Sequence, residues 1–160
     1  MGPLDAITTC FLKYADFSGR ASRPEFWWFV AFQVIAFLVA GTLDVVLFPD
    51  IARAEPPTVY PLSEVVGLAL LLPTFAVAAR RLHDTGTRSE TALILLGLCT
   101  LLGYTFTVMD AFDLYAYTES VPLMVLSLGA AAVMIALLVY ALKASQPEVN
   151  AWGPQPGFVS

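Results

Sequence analysis

Arg80-Arg81-Leu82-His83-Asp84 sits between two apolar runs, residues 68–79 before it and 91–109 after it. These five residues hold two arginines, the single histidine of the chain and an acid. A charge knot pinned between two membrane-length stretches fixes which way a chain threads a bilayer. It is also the densest group of chemistry-bearing side chains in the sequence.

The composition sets the class. Of 160 residues, 58% are hydrophobic and 13% charged, about half the roughly 25% charged content of a soluble domain. The charges are clustered, leaving charge-free runs at 26–43, 65–79, 91–109 and 121–142. A helix needs roughly 20 apolar residues to cross a hydrocarbon core of about 30 Å. The second run reaches that length when residues 62–64 lie in the outer headgroup zone. None of the runs carries the polar face that a helix of a soluble bundle shows. The fold class expected is all-α: a single polytopic membrane domain, residues 1–160, with four transmembrane helices at about 23–48, 62–83, 90–109 and 121–143.

The basic residues orient it. With the N-terminus cytoplasmic, Lys13, Arg20, Arg23, Arg80, Arg81, Arg88 and Lys143 fall inside and only Arg53 outside. Asp5, Asp16, Glu25, Asp84, Glu90 and Glu148 share the inner side, and the other seven acids lie outside. Seven bases against six acids leave +1 inside; one base against seven acids leaves −6 outside. That is a strong positive-inside bias over short loops, with both termini cytoplasmic.

Residues 4–17 place Leu4, Ile7, Phe11 and Tyr14 near helical spacing, as expected of a short amphipathic helix on the inner leaflet. Ser22-Arg23-Pro24-Glu25 has capping-box spacing with proline in the first turn. Trp27 and Trp28 fall where an interfacial aromatic belt belongs. Pro49, Pro56, Pro57 and Pro61 mark an extended outer loop. Pro73 interrupts the second helix, which predicts a kink repaired by neighbours or by hydroxyls such as Thr74. Thr87-Arg88-Ser89-Glu90 again has capping-box spacing. The Pro- and Gly-rich tail, 144–160, is expected to be mobile and cytoplasmic.

Two candidate sites emerge. At the inner end, Arg80, His83 and Asp84 share a helix face at i, i+3 and i+4, and Gly86 supplies a helix stop. The capped start of helix 1 lies at the same end, so Glu25 is in reach of Arg80 or Arg81. Arg20, Arg23, Glu25, Arg80, Arg81, His83 and Asp84 therefore form one expected cluster, either a structural lock or a site for anionic lipid headgroups or a partner. At the outer edge, Asp44, Glu64, Asp110 and Asp113 form a candidate cation site. No catalytic residues are assigned: the His-Asp pair has no Gly-x-Ser-x-Gly elbow to serve, and Ser22 and Ser89 read as caps. Two cysteines, Cys10 and Cys99, and one histidine make no zinc pattern. No metal, cofactor or nucleic-acid partner is expected.

Phe17-Ser18-Gly19-Arg20-Ala21-Ser22-Arg23-Pro24-Glu25-Phe26-Trp27 resembles the N-terminal signature of a bacterial inner-membrane family, domain of unknown function 805. Arg80-Arg81-Leu82-His83-Asp84-Thr85-Gly86 resembles its second signature, and Asn150-Ala151-Trp152-Gly153-Pro154-Gln155-Pro156 its Asn/Gly/Pro-rich ending. Arg88-Ser89-Glu90-Thr91 departs from the Ser-Gly and Trp pair frequent in that family. The resemblance implies a small polytopic protein of the bacterial inner membrane and brings no activity with it. Two functional classes follow: a non-enzymatic accessory, regulatory or scaffold component that contacts lipid, a membrane partner or its own copies, or a small oligomeric transporter or channel using the outer acids and the Pro73 helix.

Overall fold

The computed structural model describes residues 1–49, 60–88, 90, 94, 97, 98, 100, 101, 135, 138–154 and 156. Three helices are bounded within them: α1 (Pro3–Leu12), α2 (Arg23–Leu47) and α3 (Pro61–Asp84). Residues 90, 94, 97, 98, 100 and 101, and 135 and 138–142, are also helical. They fall in the expected third and fourth spans, whose full extents, and with them the count of four, lie outside the described residues. Among the described residues the regular structure is helical, apart from an isolated bridge between Asn150 and Gly153.

Local chemistry sets the helix ends. Ser22 Oγ accepts the Glu25 amide at 3.3 Å, with Pro24 in the first turn. Only half of the expected capping box forms, because the Glu25 side chain turns away to Arg80. Asp44 starts α3 from across the helix pair: its carboxylate accepts from the amides of Leu62 (2.8 Å) and Ser63 (2.9 Å) and from the Ser63 hydroxyl (2.8 Å). At the other end the Gly86 amide bonds the His83 carbonyl and the Thr87 amide bonds that of Leu82, the Schellman arrangement. It needs the left-handed φ of +77° that Gly86 supplies.

α2 and α3 run antiparallel and are joined by three polar rungs: Asp44 to Ser63, Gln33 to Thr74, and Glu25 to Arg80. Between the rungs Phe29, Leu70 and Val77 form the core, with Ala21 and with Cys10 of α1. Both helices are long and apolar enough to cross a membrane. They are not the core helices of a soluble domain, since only 11% of the most apolar stretch of α2 and 28% of that of α3 is buried. Val34, Ile35, Leu38 and Val46 all remain exposed, the distribution that a hydrocarbon solvent demands.

α1 ends at Leu12, short of the expected 17. Beyond its cap at Lys13, the Asp16 carboxylate accepts from the amide and hydroxyl of Ser18 and fixes a turn. The same bonds hold the Asp16 carboxyl below the usual carboxylate range. α1 leans along α2, with Phe11 edge-on to Phe29 and Phe32 at centroid distances of 5.9 and 5.5 Å. Leu4 and Leu12 stay 80% and 82% exposed.

α3 continues through Pro73. The gap is repaired by a neighbouring hydroxyl, though not that of Thr74. Thr74 Oγ1 donates to Leu70 O, whereas the carbonyl deprived of its helical donor is that of Ala69, and the Tyr14 hydroxyl donates to it. Tyr14→Phe is therefore expected to destabilise the protein by about 1 kcal/mol, the net worth of one hydrogen bond at an exposed site. In a Pro73→Ala background the same change should cost under about 0.5 kcal/mol, because residue 73 then supplies its own amide. Thermal unfolding in detergent across this double-mutant cycle measures the coupling, and additive effects would sink the assignment.

Candidate functional site

The seven residues expected at the inner end converge in space, and six of them are buried: Arg20, Glu25, Arg80, Arg81, His83 and Asp84. Arg23 alone is exposed. Asp84, fully buried, is the hub. Arg20 donates to its Oδ1 from Nε at 2.9 Å, with Nη2 forming an ion pair to the same oxygen at 2.9 Å, while Arg81 and the Ser145 hydroxyl bond Oδ2. The partner of Asp84 on its own helix is thus Arg81, at i−3, and not the expected face-mate Arg80. Arg80 turns the other way, to Glu25.

The arginines are satisfied mainly by backbone. Arg20 also donates to the carbonyls of Gln146 (2.6 Å), Glu148 (2.9 Å) and Gly153 (3.3 Å). Arg81 donates to those of Ala141 (3.2 Å), Ala21 (3.5 Å) and Lys143. The Gln146 amide in turn reaches the Asp84 carbonyl at 2.9 Å. Residues 141–153 supply these acceptors, because buried guanidiniums need them and the returning chain provides them.

The ending of the tail is itself a folded device. Asn150 and Gly153 exchange backbone bonds at 3.0 and 3.3 Å, and the Asn150 side chain accepts the Trp152 amide at 3.0 Å. This tight turn lays the Trp152 indole on the His83 ring, centroids 4.5 Å apart and planes 8° from parallel. The His83 ring also bonds Gly19 O through Nδ1 at 3.1 Å, and the Asn150 amide holds the His83 carbonyl at 2.9 Å. The imidazole thus lies between the Gly19 carbonyl and the Trp152 ring. A carboxylate bound by two arginines beside such a histidine is not arranged as a base–orienter pair.

Deeper, Cys10 lies 3.9 Å from Glu25 Oε1 beneath α1. Burial, reinforced by the Glu25 carboxylate, pushes its thiol up to about 11, the signature of an inert packed cysteine. Arg80 is fully buried and paired with Glu25, and among the described residues its Nε and Nη2 have no hydrogen-bond partner.

Of the outer acids, Asp44 is buried and its oxygens are engaged by the start of α3, and Glu64 lies in the first turn of that helix. Asp110, Asp113 and Cys99 lie outside the described residues. Reading the sequence alone missed Tyr14, Ser145, Gln146 and Trp152. The one signal for them was the Asn150-Ala151-Trp152-Gly153 string, which has the chemistry of an Asx turn.

Three comparisons bear on this site. The family described as protein of unknown function (DUF805) matches over residues 14–154, a span that takes in Tyr14, both arginine segments and the tail turn. The inner membrane protein YhaH of Escherichia coli (strain K12) is 39% identical over 84 residues, 52% of this chain and 66% of that one. The inner membrane protein YhaI of the same organism is 35% identical over 82 residues, 51% and 63% of the two chains. The chain thus spans less than two thirds of the length of these relatives. No solved structure matches it.

Proposed function

The chain belongs to the DUF805 family of proteins of unknown function, and on that footing we propose that it is a non-enzymatic scaffold or accessory component of the inner membrane. In this reading it crosses four times, keeps both termini in the cytoplasm and carries the polar cluster at the cytoplasmic face, as the positive-inside count requires. One observation carries the reading. The charged groups at that end are consumed internally, fastening the 18–22 segment, α2, α3 and residues 141–153 into one block. Beside this block stand two exposed cations, Arg23 and Lys143, joined by a 3.1 Å bond from Arg23 Nε to the Lys143 carbonyl. Arg23 lines an open cleft of about 670 Å³ together with Ser22, Glu25 and Ser145. A rigid block presenting cations suits recognition of an anionic headgroup or an acidic partner. The engagement of Asp44 by α3 weighs against the rival, a cation path along the outer acids.

Reporter fusions at residues 55 and 115 test the topology; both should report the periplasmic side, and cytoplasmic signals there overturn it. The role is tested by reconstituting the purified chain in liposomes. No cation current is expected, and a current abolished by Asp44→Asn would replace the scaffold reading with transport.

A further inference from the structure

We propose that the protein holds one anionic phospholipid, with an acyl chain in a trough along α2 and the phosphate between Arg23 and Lys143. This rests on the scaffold reading and names the chemistry of what its exposed cations meet. A cavity of about 230 Å³ lies between Phe26 and Val30 of α2, Val77 of α3, and Leu138 and Tyr140. A second, more open crevice of about 410 Å³ continues along α2 past Val34 to Phe37 and Leu38, and the two share Val30 and Gln33. From Phe26 to Leu38 is about 18 Å at helical rise, close to the roughly 15 Å of one leaflet of a 30 Å hydrocarbon core. Gln33, the polar side chain common to both, is turned to Thr74, so the trough offers a chain rather than a solute.

The trough is continuous with the lipid-facing surface of α2, where Val34 and Leu38 are exposed. Its inner mouth decides the headgroup. Tyr140 lines the cavity, and the Lys143 ammonium stands over its ring, 5.8 Å from the centroid. Arg23 is tethered to the same residue through the Lys143 carbonyl. Of the acids at that end, Glu25 and Asp84 are buried and already paired with Arg80, Arg20 and Arg81, while Asp5, Asp16, Glu90 and Glu148 are exposed but line neither hollow. Two exposed cations at the mouth, with no acid among the described residues lining the trough, favour a net-negative headgroup over a zwitterionic one.

The full chain is reconstituted in nanodiscs of equimolar phosphatidylglycerol and phosphatidylcholine, delipidated stepwise and weighed by native mass spectrometry. One phosphatidylglycerol should persist, favoured about tenfold over phosphatidylcholine. Arg23→Gln with Lys143→Gln should bring that ratio to about one, and Val30→Trp should remove retention of both lipids. A phosphatidylglycerol carrying a diazirine on its acyl chain provides a test on the unaltered protein, with label expected on the peptides of Val30 and Leu138. Label elsewhere, equal retention of the two lipids, or retention unchanged in Val30→Trp overturns the proposal. An acidic protein captured through Arg23 with no lipid retained would also overturn it while leaving the scaffold reading in place. Reversed topology reporters would remove both.

Discussion

Replacing Asp84 with alanine is expected to destabilise the protein by about 3–5 kcal/mol, the cost of removing one partner from a buried ion pair. Two guanidiniums, Arg20 and Arg81, lose their shared counter-charge at once, and the Ser145 hydroxyl loses its acceptor. The arginines keep their carbonyl partners, but those carry only partial charge. Asp84→Asn should fall between, since an amide of the same shape retains one acceptor without the charge. Abundance in native membranes and thermal unfolding in detergent read the effect directly. An Asp84→Ala protein that accumulates and unfolds normally would mean that the residue serves chemistry rather than architecture.

The second large effect is at the other buried arginine. Among the described residues, Glu25→Leu leaves the fully buried Arg80 without a counter-charge and with Nε and Nη2 already unpartnered. The expected loss is again about 3–5 kcal/mol. The double variant Glu25→Leu/Arg80→Leu should recover most of it, because an apolar pair replaces both the pairing and its desolvation cost. The comparison of single and double variants in unfolding experiments isolates the charge. A double variant as unstable as the single would show that packing of the Glu25 stem against Cys10, and not the ion pair, holds this level of the helix pair.

The parts of this fold that were legible in the sequence are those governed by local rules. The first two spans, expected at 23–48 and 62–83, are found at Arg23–Leu47 and Pro61–Asp84. Ser22, Pro24, Pro61 and Gly86 act on their immediate neighbours and so announce themselves. The convergence of Glu25 with Arg80 was also within reach, since hydropathy alone places both at one membrane edge. What escaped was every contact whose acceptor is a backbone carbonyl. Arg20 and Arg81 bind residues 141–153 through oxygens that any residue type would present, so the docked tail leaves little trace in composition. Asp44 escaped for a related reason: as a carboxylate at a membrane edge it resembles a cation ligand, yet its partners are amides 18 and 19 residues onward. The partner of the Ala69 carbonyl was not legible because proline rules name the gap and not the distant hydroxyl that fills it.

The clasp of the tail on the two buried arginines also orders events in time. The α2–α3 hairpin carries its own three rungs and is complete, in sequence terms, once Asp84 has been made. The carbonyls of residues 141–153 that finish the shells of Arg20 and Arg81 follow roughly 60 residues later, or about 3–12 s at 5–20 residues per second. Through that interval the nascent chain holds two membrane-edge guanidiniums with incomplete coordination. Arrival of residues 141–153 completes the acceptor shells of both arginines, so the polar end of the hairpin closes only after the chain has returned to the same membrane edge.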